Sequence, residues 1–329
     1  MKRTLILICL IALHVSATAH AQDNYTTEKK KIIDPEQVDR DYAVQGEYAG
    51  EINLGAGPVK KGVQVIAAGN GKFKATAYSG GLPGDGFDAE SIEHYSGKRD
   101  GQKVTFDIDT ATGVIDDGTL TITYGGLVLG AFARVDRESP TLGMDAPEGA
   151  LVLFDGSNVD QWKKGKLSED SLLMQGTTSK KRFQDHQLHI EFLLPYCPHD
   201  EGQKRGNSGI YVQGRYEVQM LDSFGLEGKH DECGGIYKTS APGVNMCYPP
   251  LRWQTYDIDF TAATFGDDGK MKTKPRITVK HNGVVIQDDV ELPAATTASP
   301  LKAGPQPGPV FLQNHKNPAR YRNIWVVEK

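Results

Sequence analysis

The sequence has little of what marks several large protein classes. Its 329 residues include 37 Lys and Arg against 42 Asp and Glu, which gives a formal net charge of −5. Without a basic excess or a long Lys/Arg cluster, a nucleic-acid partner is not expected. The only strong apolar run lies at the N-terminus, and this excludes a polytopic membrane protein.

Several catalytic and cofactor motifs are also absent. The chain has no G-x-S-x-G elbow, no H-E-x-x-H pair, no Walker loop and no dinucleotide-binding glycine motif. The runs His199-Asp200-Glu201 and His230-Asp231-Glu232 place possible metal ligands together, but polar loops often do so by chance. We therefore expect no metal site and no cofactor, with a divalent metal as a minor alternative.

The N-terminal run has the pattern of a secretory signal peptide. Lys2 and Arg3 precede an apolar segment over residues 5–15, and Ala19-His20-Ala21 supplies an A-x-A cleavage site. This predicts removal of residues 1–21 and export to the periplasm or the extracellular space. No integral membrane segment would then remain. A single membrane anchor is the alternative, but the run is short for it.

Cysteine is scarce, and its placement limits what it can do. Beyond Cys9 in the apolar run, the chain has Cys197, Cys233 and Cys247. An oxidising compartment favours one disulfide and one free thiol, and the sequence does not choose among the three pairings. The spacings match no cysteine-based zinc motif.

What the chain does have is glycine and short strands. It contains 37 glycines, above the usual share, as is typical of many tight turns. We expect a flexible leader over residues 22–40 with a short helix near Pro35–Arg40. A small antiparallel β domain follows over residues 41–140, and a Pro/Gly-bearing connector leads to a second domain over residues 149–329.

Alternation defines the second domain. Short apolar–polar segments recur from residue 150 to residue 328, and Asn282-Gly283 predicts a hairpin turn between two of them. Helical periodicity is almost absent. The predicted fold class is therefore all-β, with a C-terminal jelly-roll β-sandwich after the small antiparallel domain.

The polar residues of these strands form an unusual set. Because side chains alternate along a strand, the apolar residues take one face and the polar ones the other. The outward set consists of Glu191, Tyr211, Glu217, Gln219, Gln313 and His315. A solvated sheet face is the plain interpretation. Carboxylates, amides and aromatic rings are also the groups that bind sugar hydroxyls and sugar rings, so a carbohydrate site is the alternative.

Motifs in the second domain carry a resemblance. They are Leu153-Phe154-Asp155-Gly156 with Trp162, Asn207-Ser208-Gly209-Ile210-Tyr211, Tyr216-Glu217-Val218-Gln219, Gly234-Gly235-Ile236-Tyr237, Leu312-Gln313-Asn314-His315 and Tyr321-Arg322-Asn323-Ile324. In this order they resemble the 3-keto-disaccharide hydrolase domain family, over about residues 150–329. The resemblance implies a concanavalin-like sandwich with a sugar site on its concave sheet. It also implies cleavage of glycosides oxidised at C3, with a carbohydrate substrate as the partner.

The implied chemistry suggests residue roles. A C3 ketone acidifies the C2 proton, so a base can remove it and the C1 oxygen can leave by elimination, after which water adds back. The candidate catalytic residues are Glu217, Glu191, His315 and Asp222. The candidate substrate-binding residues are Asn207, Ser208, Tyr211, Gln219, Tyr237, Trp253, Gln313 and Arg322. A structural Arg322–Glu191 pair is the plain alternative for those two residues.

Competing interpretations remain open at this level. Direct hydrolysis through two carboxylates would give the same products by another route. A noncatalytic carbohydrate-binding or adhesion module could use the same sandwich, because a fold does not fix a function. A structural surface protein with two β domains is a third possibility.

Overall fold

The computed structural model describes residues 29–329. After a 3₁₀ turn at Pro35–Gln37, eight antiparallel strands form a closed barrel in which each strand pairs with the next and β8 pairs back with β1. These strands are β1 Gly46–Asn53, β2 Pro58–Ala67, β3 Lys72–Ser79, β4 Ile92–Asp100, β5 Lys103–Ile108, β6 Ala111–Asp116, β7 Thr119–Tyr124 and β8 Leu127–Val135.

Alternation and turn chemistry explain the barrel. Inward residues such as Val65, Phe73 and Phe106 are buried in one apolar cluster, so side chains fill the interior, as in other small barrels. The β2–β3 turn uses Asn70 and Gly71 at positive φ, the conformation that hairpin turns require. Closure also leaves no unpaired edge strand in this domain.

Three barrel strands have only weak strand signals in the sequence. β4 is mostly polar and has no residue that is fully buried, while β1 and β6 each include a glycine in mid-strand. Glycine and charged residues are depleted in strands, so local preference did not indicate them. Pairing with neighbouring strands and closure of the ring hold them in place.

The second domain is built from two main sheets. One has five strands in the order β10-β12-β21-β14-β15, and the other has the order β11-β22-β13-β16-β19-β20, with β9 also paired to β22. A separate hairpin joins β17 and β18. The strands are β9 Leu151–Phe154, β10 Trp162–Lys163, β11 Leu173–Met174, β12 Thr177–Ser179, β13 His186–Leu193, β14 Ser208–Val212, β15 Tyr216–Met220, β16 Trp253–Thr261, β17 Thr264–Phe265, β18 Met271–Thr273, β19 Arg276–His281, β20 Val284–Glu291, β21 Phe311–Leu312 and β22 Arg320–Glu328; a second 3₁₀ turn spans Gly202–Lys204.

One apolar core lies between the two sheets. Ile210 and Val218 from the five-stranded sheet share this core with Ile190, Ile258 and other residues of the larger sheet. The all-β sandwich preceded by a small antiparallel β domain is therefore confirmed. No helix in residues 29–329 is long and apolar enough to cross a membrane.

The segment before the barrel is packed more firmly than we expected. Ile32 is buried and forms a β-bridge with Tyr196 of the sandwich, and the buried Asp41 pairs with Arg99 of the barrel at 2.7 Å. Residues 29–40 therefore join the two domains and do not form a flexible leader. The predicted signal peptide and residues 22–28 lie outside the described residues.

The disulfide prediction was wrong. Cys197, Cys233 and Cys247 are all free and buried in the sandwich. The thiol of Cys247 faces the carbonyl oxygen of Leu221, and that of Cys233 lies 3.3 Å from the hydroxyl of Tyr256. The three side chains act as small core residues, which is a common role for buried cysteine.

Candidate functional site

The polar face of the five-stranded sheet brings Tyr211 and Glu217 together. On β14 and β15, Ile210 and Val218 point into the core, so the paired residues Tyr211 and Glu217 point to the other face. Both are buried, because the surrounding loops cover this face. The alternation predicted from sequence therefore places these two residues together.

Glu217 is a carboxylic acid held in a desolvated position. Its Oε2 accepts a hydrogen bond from the Tyr211 hydroxyl at 2.7 Å, and its backbone N–H donates to Oγ1 of Thr296. Burial raises the pKa of Glu217 to about 7, against the opposing effect of the Tyr211 hydrogen bond. A carboxyl group with this pKa can take up and release a proton near neutral pH.

Gln313 extends the group from the neighbouring strand. Its Nε2 donates to the Tyr211 hydroxyl at 3.1 Å, so Gln313, Tyr211 and Glu217 form a short hydrogen-bonded chain. The Oε1 atom of Gln313 is buried and has no hydrogen-bond partner among the described residues. Buried polar atoms are nearly always paired, so this acceptor is suited to a ligand hydroxyl.

A second amide cluster adjoins the first. Asn207 donates to Gln203 through Nδ2, and Gln219 donates to Oε1 of the same Gln203 at 3.1 Å. The Oδ1 atom of Asn207 is likewise buried without a partner in the described part of the chain. Sequence reasoning missed Gln203, because it lies in a loop with no strand alternation to mark it.

Two other predicted binding residues take different positions. Tyr237 is half-buried beside the site, and its backbone N–H donates to the carbonyl oxygen of Glu217 at 3.1 Å. Ser208 faces the opposite way, because it alternates with Gly209: its hydroxyl lies 2.5 Å from that of the buried Tyr321. The predicted substrate contact of Ser208 is therefore wrong, and this residue belongs to the core.

Glu191 lies on the other sheet. It sits on β13, which pairs with β16 and β22, so it cannot share a face with Glu217. Its Oε2 accepts from Nε of Arg322 at 2.6 Å, and the Arg322 guanidinium lies 4.1 Å from the ring centre of Trp253. The predicted grouping of Glu191, Arg322 and Trp253 with Glu217 is wrong. The plain alternative, a structural Arg322–Glu191 pair, describes what is there.

The connector between the domains covers Glu191. The backbone N–H of Gly143 donates to its Oε1 at 2.5 Å, and the side chain of Asn323 donates to the same atom. Burial alone would raise the pKa of Glu191, but hydrogen bonds from His189, Asn323, Arg322 and Gly143 outweigh it and lower the pKa to about 2. A carboxylate held this firmly in its ionised form is a poor base at neutral pH.

Asp222 and His315, the other two candidate catalytic residues, make their contacts with residues other than Glu217. Asp222 is buried in an ion pair with Arg205, whose Nε lies 2.7 Å from Oδ2 of the aspartate. This pair faces the barrel, and Arg205 also reaches the carbonyl oxygen of Ala67 in β2. His315 follows β21 in an exposed turn, and no contact joins it to Glu217 among the described residues.

The chemistry available at this face is acid–base chemistry around Glu217, supported by amide and hydroxyl groups. Within residues 29–329, no group of three or more His, Cys, Asp or Glu side chains is placed to hold a metal ion. The expectation that no cofactor takes part stays a prediction.

Comparisons with known proteins identify the family of the second domain. The family profile for the 3-keto-alpha-glucoside-1,2-lyase-like domain matches residues 149–327. A crystal structure of a candidate glycosyl hydrolase from Parabacteroides distasonis is 35% identical, with a TM-score of 0.51, and the match covers 56% of this chain and 85% of that one. A second such candidate from the same organism is 18% identical, with a TM-score of 0.40 over 55% of this chain and 94% of the other. A search of curated proteins found no match.

Proposed function

Since this chain belongs to the 3-keto-alpha-glucoside-1,2-lyase-like domain family, whose profile spans its whole sandwich, we propose that it cleaves glycosides that carry a ketone at C3. The observation that carries the proposal is the buried Glu217 carboxyl group, with a pKa of about 7 and the hydroxyl of Tyr211 beside it. The role of each residue follows from the position of this carboxyl group.

Glu217 acts as the base on C2. The ketone at C3 acidifies the C2 proton, and Glu217 takes this proton while the electron pair forms the enolate between C2 and C3. The C3 carbonyl then re-forms as C1 and C2 become doubly bonded, and the C1–oxygen bond breaks. The leaving oxygen takes a proton from the protonated Glu217 or through Tyr211, and addition of water at C1 completes a net hydrolysis.

The neighbouring amides suit a sugar. The unpartnered Oδ1 of Asn207 and Oε1 of Gln313 are buried acceptors, and each can receive a hydrogen bond from a hydroxyl group. Gln219 and the half-buried Tyr237 stand beside them. A ligand with several hydroxyls satisfies these atoms, whereas an apolar ligand leaves them unpaired.

The positions of the other carboxylates favour elimination over direct hydrolysis. A two-carboxylate mechanism requires a pair that flanks one bond, about 5–10 Å apart. Glu191 lies on the other sheet in an ion pair with Arg322, and Asp222 is paired with Arg205. Each of these carboxylates is held in an ion pair of its own, whereas elimination requires only one base at C2.

The proposal also covers the cellular compartment in which the enzyme acts. The Lys2-Arg3 start, the apolar run and the Ala19-His20-Ala21 motif support an exported enzyme. Cell fractionation with an antibody against the chain tests this directly. Recovery of the full-length chain in the cytoplasm alone would contradict export.

Turnover of a 3-keto-glucoside in D₂O tests the chemistry. We expect the chain to release the aglycone, and NMR to show deuterium at C2 of recovered or re-hydrated sugar. Glu217→Gln should lower kcat by about 10²–10⁴-fold, the usual contribution of a general base. Glu191→Gln is the matched control, because it changes the same group on the other sheet and should retain turnover.

Two outcomes would overturn parts of this proposal. Saturable binding of the 3-keto-glucoside without aglycone release would assign a noncatalytic binding module. Release with no C2 deuterium at any stage would exclude elimination and favour direct hydrolysis.

A further inference from the structure

A cavity of about 450 Å³ lies where the barrel meets the sandwich, apart from the Glu217 face. Its barrel wall comes from β3 and β4 and includes Thr76, His94 and Ser96. Its sandwich wall comes from residues 198–205 and 222–232. The volume lies within the range of small-molecule sites, which often occur between domains. This space is called the interdomain cavity below.

The two walls are fixed to each other. The Thr76 hydroxyl donates to the carbonyl oxygen of Gly225 at 2.7 Å, and Arg205 reaches the carbonyl oxygen of Ala67. The apolar contact of Ile66 with Gly225 is close enough that a Cβ at Gly225 would lie 2.4 Å from Cδ1 of Ile66. The interdomain cavity is therefore pre-formed, which lowers the entropic cost of binding a ligand.

Each lysine and arginine in the wall is paired with an acid, and the carboxyl groups of Asp200 and Glu232 line the cavity in addition. Lys74 pairs with Glu201 across the domain boundary at 3.1 Å, and the buried Arg205 pairs with Asp222. On the rim, Lys229 pairs with Glu227 at 3.0 Å. Phosphates and carboxylates are bound by cations that are free to contact them. The cations of this wall are taken up by its own acids, so the wall disfavours an anion, and its additional carboxylates can accept hydrogen bonds from the hydroxyls of a neutral ligand.

The remaining lining is both apolar and hydrogen-bonding. Phe224, Leu226 and Tyr95 supply apolar surface, and the exposed Ser96 supplies a hydroxyl group at the edge of the cavity. The exposed His94 lies 3.3 Å from the Thr76 hydroxyl through Nδ1, and its ring adds a second polar group to the barrel wall. A sugar has this same dual character, with C–H faces for apolar surface and hydroxyls for polar groups.

A single loop connects the interdomain cavity with the Glu217 face. Glu201 and Gly202 line the cavity, while Gln203 bonds to Asn207 and Gln219 on the other side. We propose that the interdomain cavity is a second site, built jointly by the barrel and the sandwich, that binds a neutral sugar. The choice of a sugar as ligand class rests on the proposed function; the site itself rests on the cavity and its paired charges.

Calorimetric titration of the full chain with trehalose, sucrose and maltose tests the site. None of these sugars carries a C3 ketone, so binding can be measured without turnover. We expect saturable binding of at least one of them. Ser96→Trp should weaken it at least tenfold, because the indole would fill the cavity mouth. Lys98→Trp is the matched control on the same face of β4, and it should change the Kd by less than twofold.

The outcomes separate the two proposals. If Glu217→Gln retains sugar binding and Ser96→Trp loses it, the interdomain cavity is the site. If no probe binds saturably, or if Ser96→Trp binds as well as the wild type, the second site is overturned whatever the turnover assay shows. Failure of turnover together with Ser96-dependent binding would overturn the proposed function and leave the second site in place.

Discussion

A Cβ atom at Gly209 would lie 2.3 Å from Oε1 of Glu217. The two residues are on adjacent strands, and Glu217 pairs with Tyr211, two residues beyond Gly209 on the same face, so the carboxyl group lies over the glycine. No side chain fits between them. The glycine thus determines where the carboxyl group of the proposed base is held.

Gly209→Ala is expected to displace Glu217 while leaving the fold intact. The backbone of Gly209 is not at positive φ, so alanine is compatible with the strand. A shift of the carboxyl group by about 1 Å can cost about 10²-fold in rate. The measurement is kcat/KM for a 3-keto-glucoside. Gly243→Ala is the control, because its Cβ would meet nothing closer than 3.7 Å; equal rates for both variants would contradict the assigned geometry.

The dependence of kcat/KM on pH should follow the ionisation of the Glu217 carboxyl group. Its ionised form is the base, so kcat/KM should rise with pH and level off above an apparent pKa near 7. The Tyr211 hydroxyl stabilises the ionised form, so Tyr211→Phe should move this limb to higher pH. Measuring kcat/KM from pH 5 to pH 9 checks both statements. A limb that stays in place in Tyr211→Phe would exclude Glu217 as its source.

The same pKa predicts a change in stability. Glu217 titrates near 4.5 when unfolded and at about 7 when folded, so between these values the unfolded chain binds fewer protons. The free energy of unfolding of the wild type, relative to Glu217→Gln, should therefore fall as pH rises from about 4.5 to 7. A fall on the order of 2–3 kcal/mol is expected in urea titrations. A difference that does not vary with pH would show that the carboxyl group is not desolvated.

Glu191 should matter for stability and not for the rate. Its pKa is lowered to about 2, so its stabilising contribution is complete above about pH 4.5 and is lost as the pH falls towards 2. Glu191→Gln leaves Arg322 without its partner and should cost about 2–3 kcal/mol at pH 7, less than a fully buried pair because Arg322 is partly exposed. Urea unfolding measures this cost. If Glu191→Gln lowers the turnover rate by more than it lowers the fraction of folded protein, Glu191 takes part in catalysis.

Thiol reactivity should follow burial. Burial raises the pKa of the Cys197 thiol to about 12, and Cys233 and Cys247 are also enclosed. A chain that starts at residue 22 should show no reactive thiol when folded and three when denatured without reductant. Detection of only one thiol after denaturation would contradict the free state of the three cysteines.

Local pattern was sufficient where the answer depended on one strand. The alternation in Tyr216-Glu217-Val218 placed Glu217 opposite the core, and Tyr211 and Gln313 followed by the same rule. The hairpin turn at Asn282-Gly283 was predictable because type I′ geometry favours these residues. Ser208 was assigned to the site from the family motif, although alternation from Ile210 places it on the core side.

Long-range partners could not be read in this way. Arg322 and Glu191 are 131 residues apart, and only the pairing of β13 with β22 brings them together. Asp222 is a candidate partner acid from the sequence, yet its ion pair with Arg205 directs it towards the barrel. Gln203 gave no pattern at all, since its role depends on a loop conformation.

The sequence alone determined the all-β class, the family and the face on which each strand carries its polar residues, because side-chain alternation is a property of the extended backbone. Only the tertiary structure decided which strands share a sheet, and so which carboxyl groups could meet. In the folded chain, Glu191 and Glu217 lie on different sheets, and the three cysteines are buried without forming a disulfide. The barrel packs against the sandwich. Strand pairing depends on packing and hydrogen bonds between distant segments, and no local pattern specifies them.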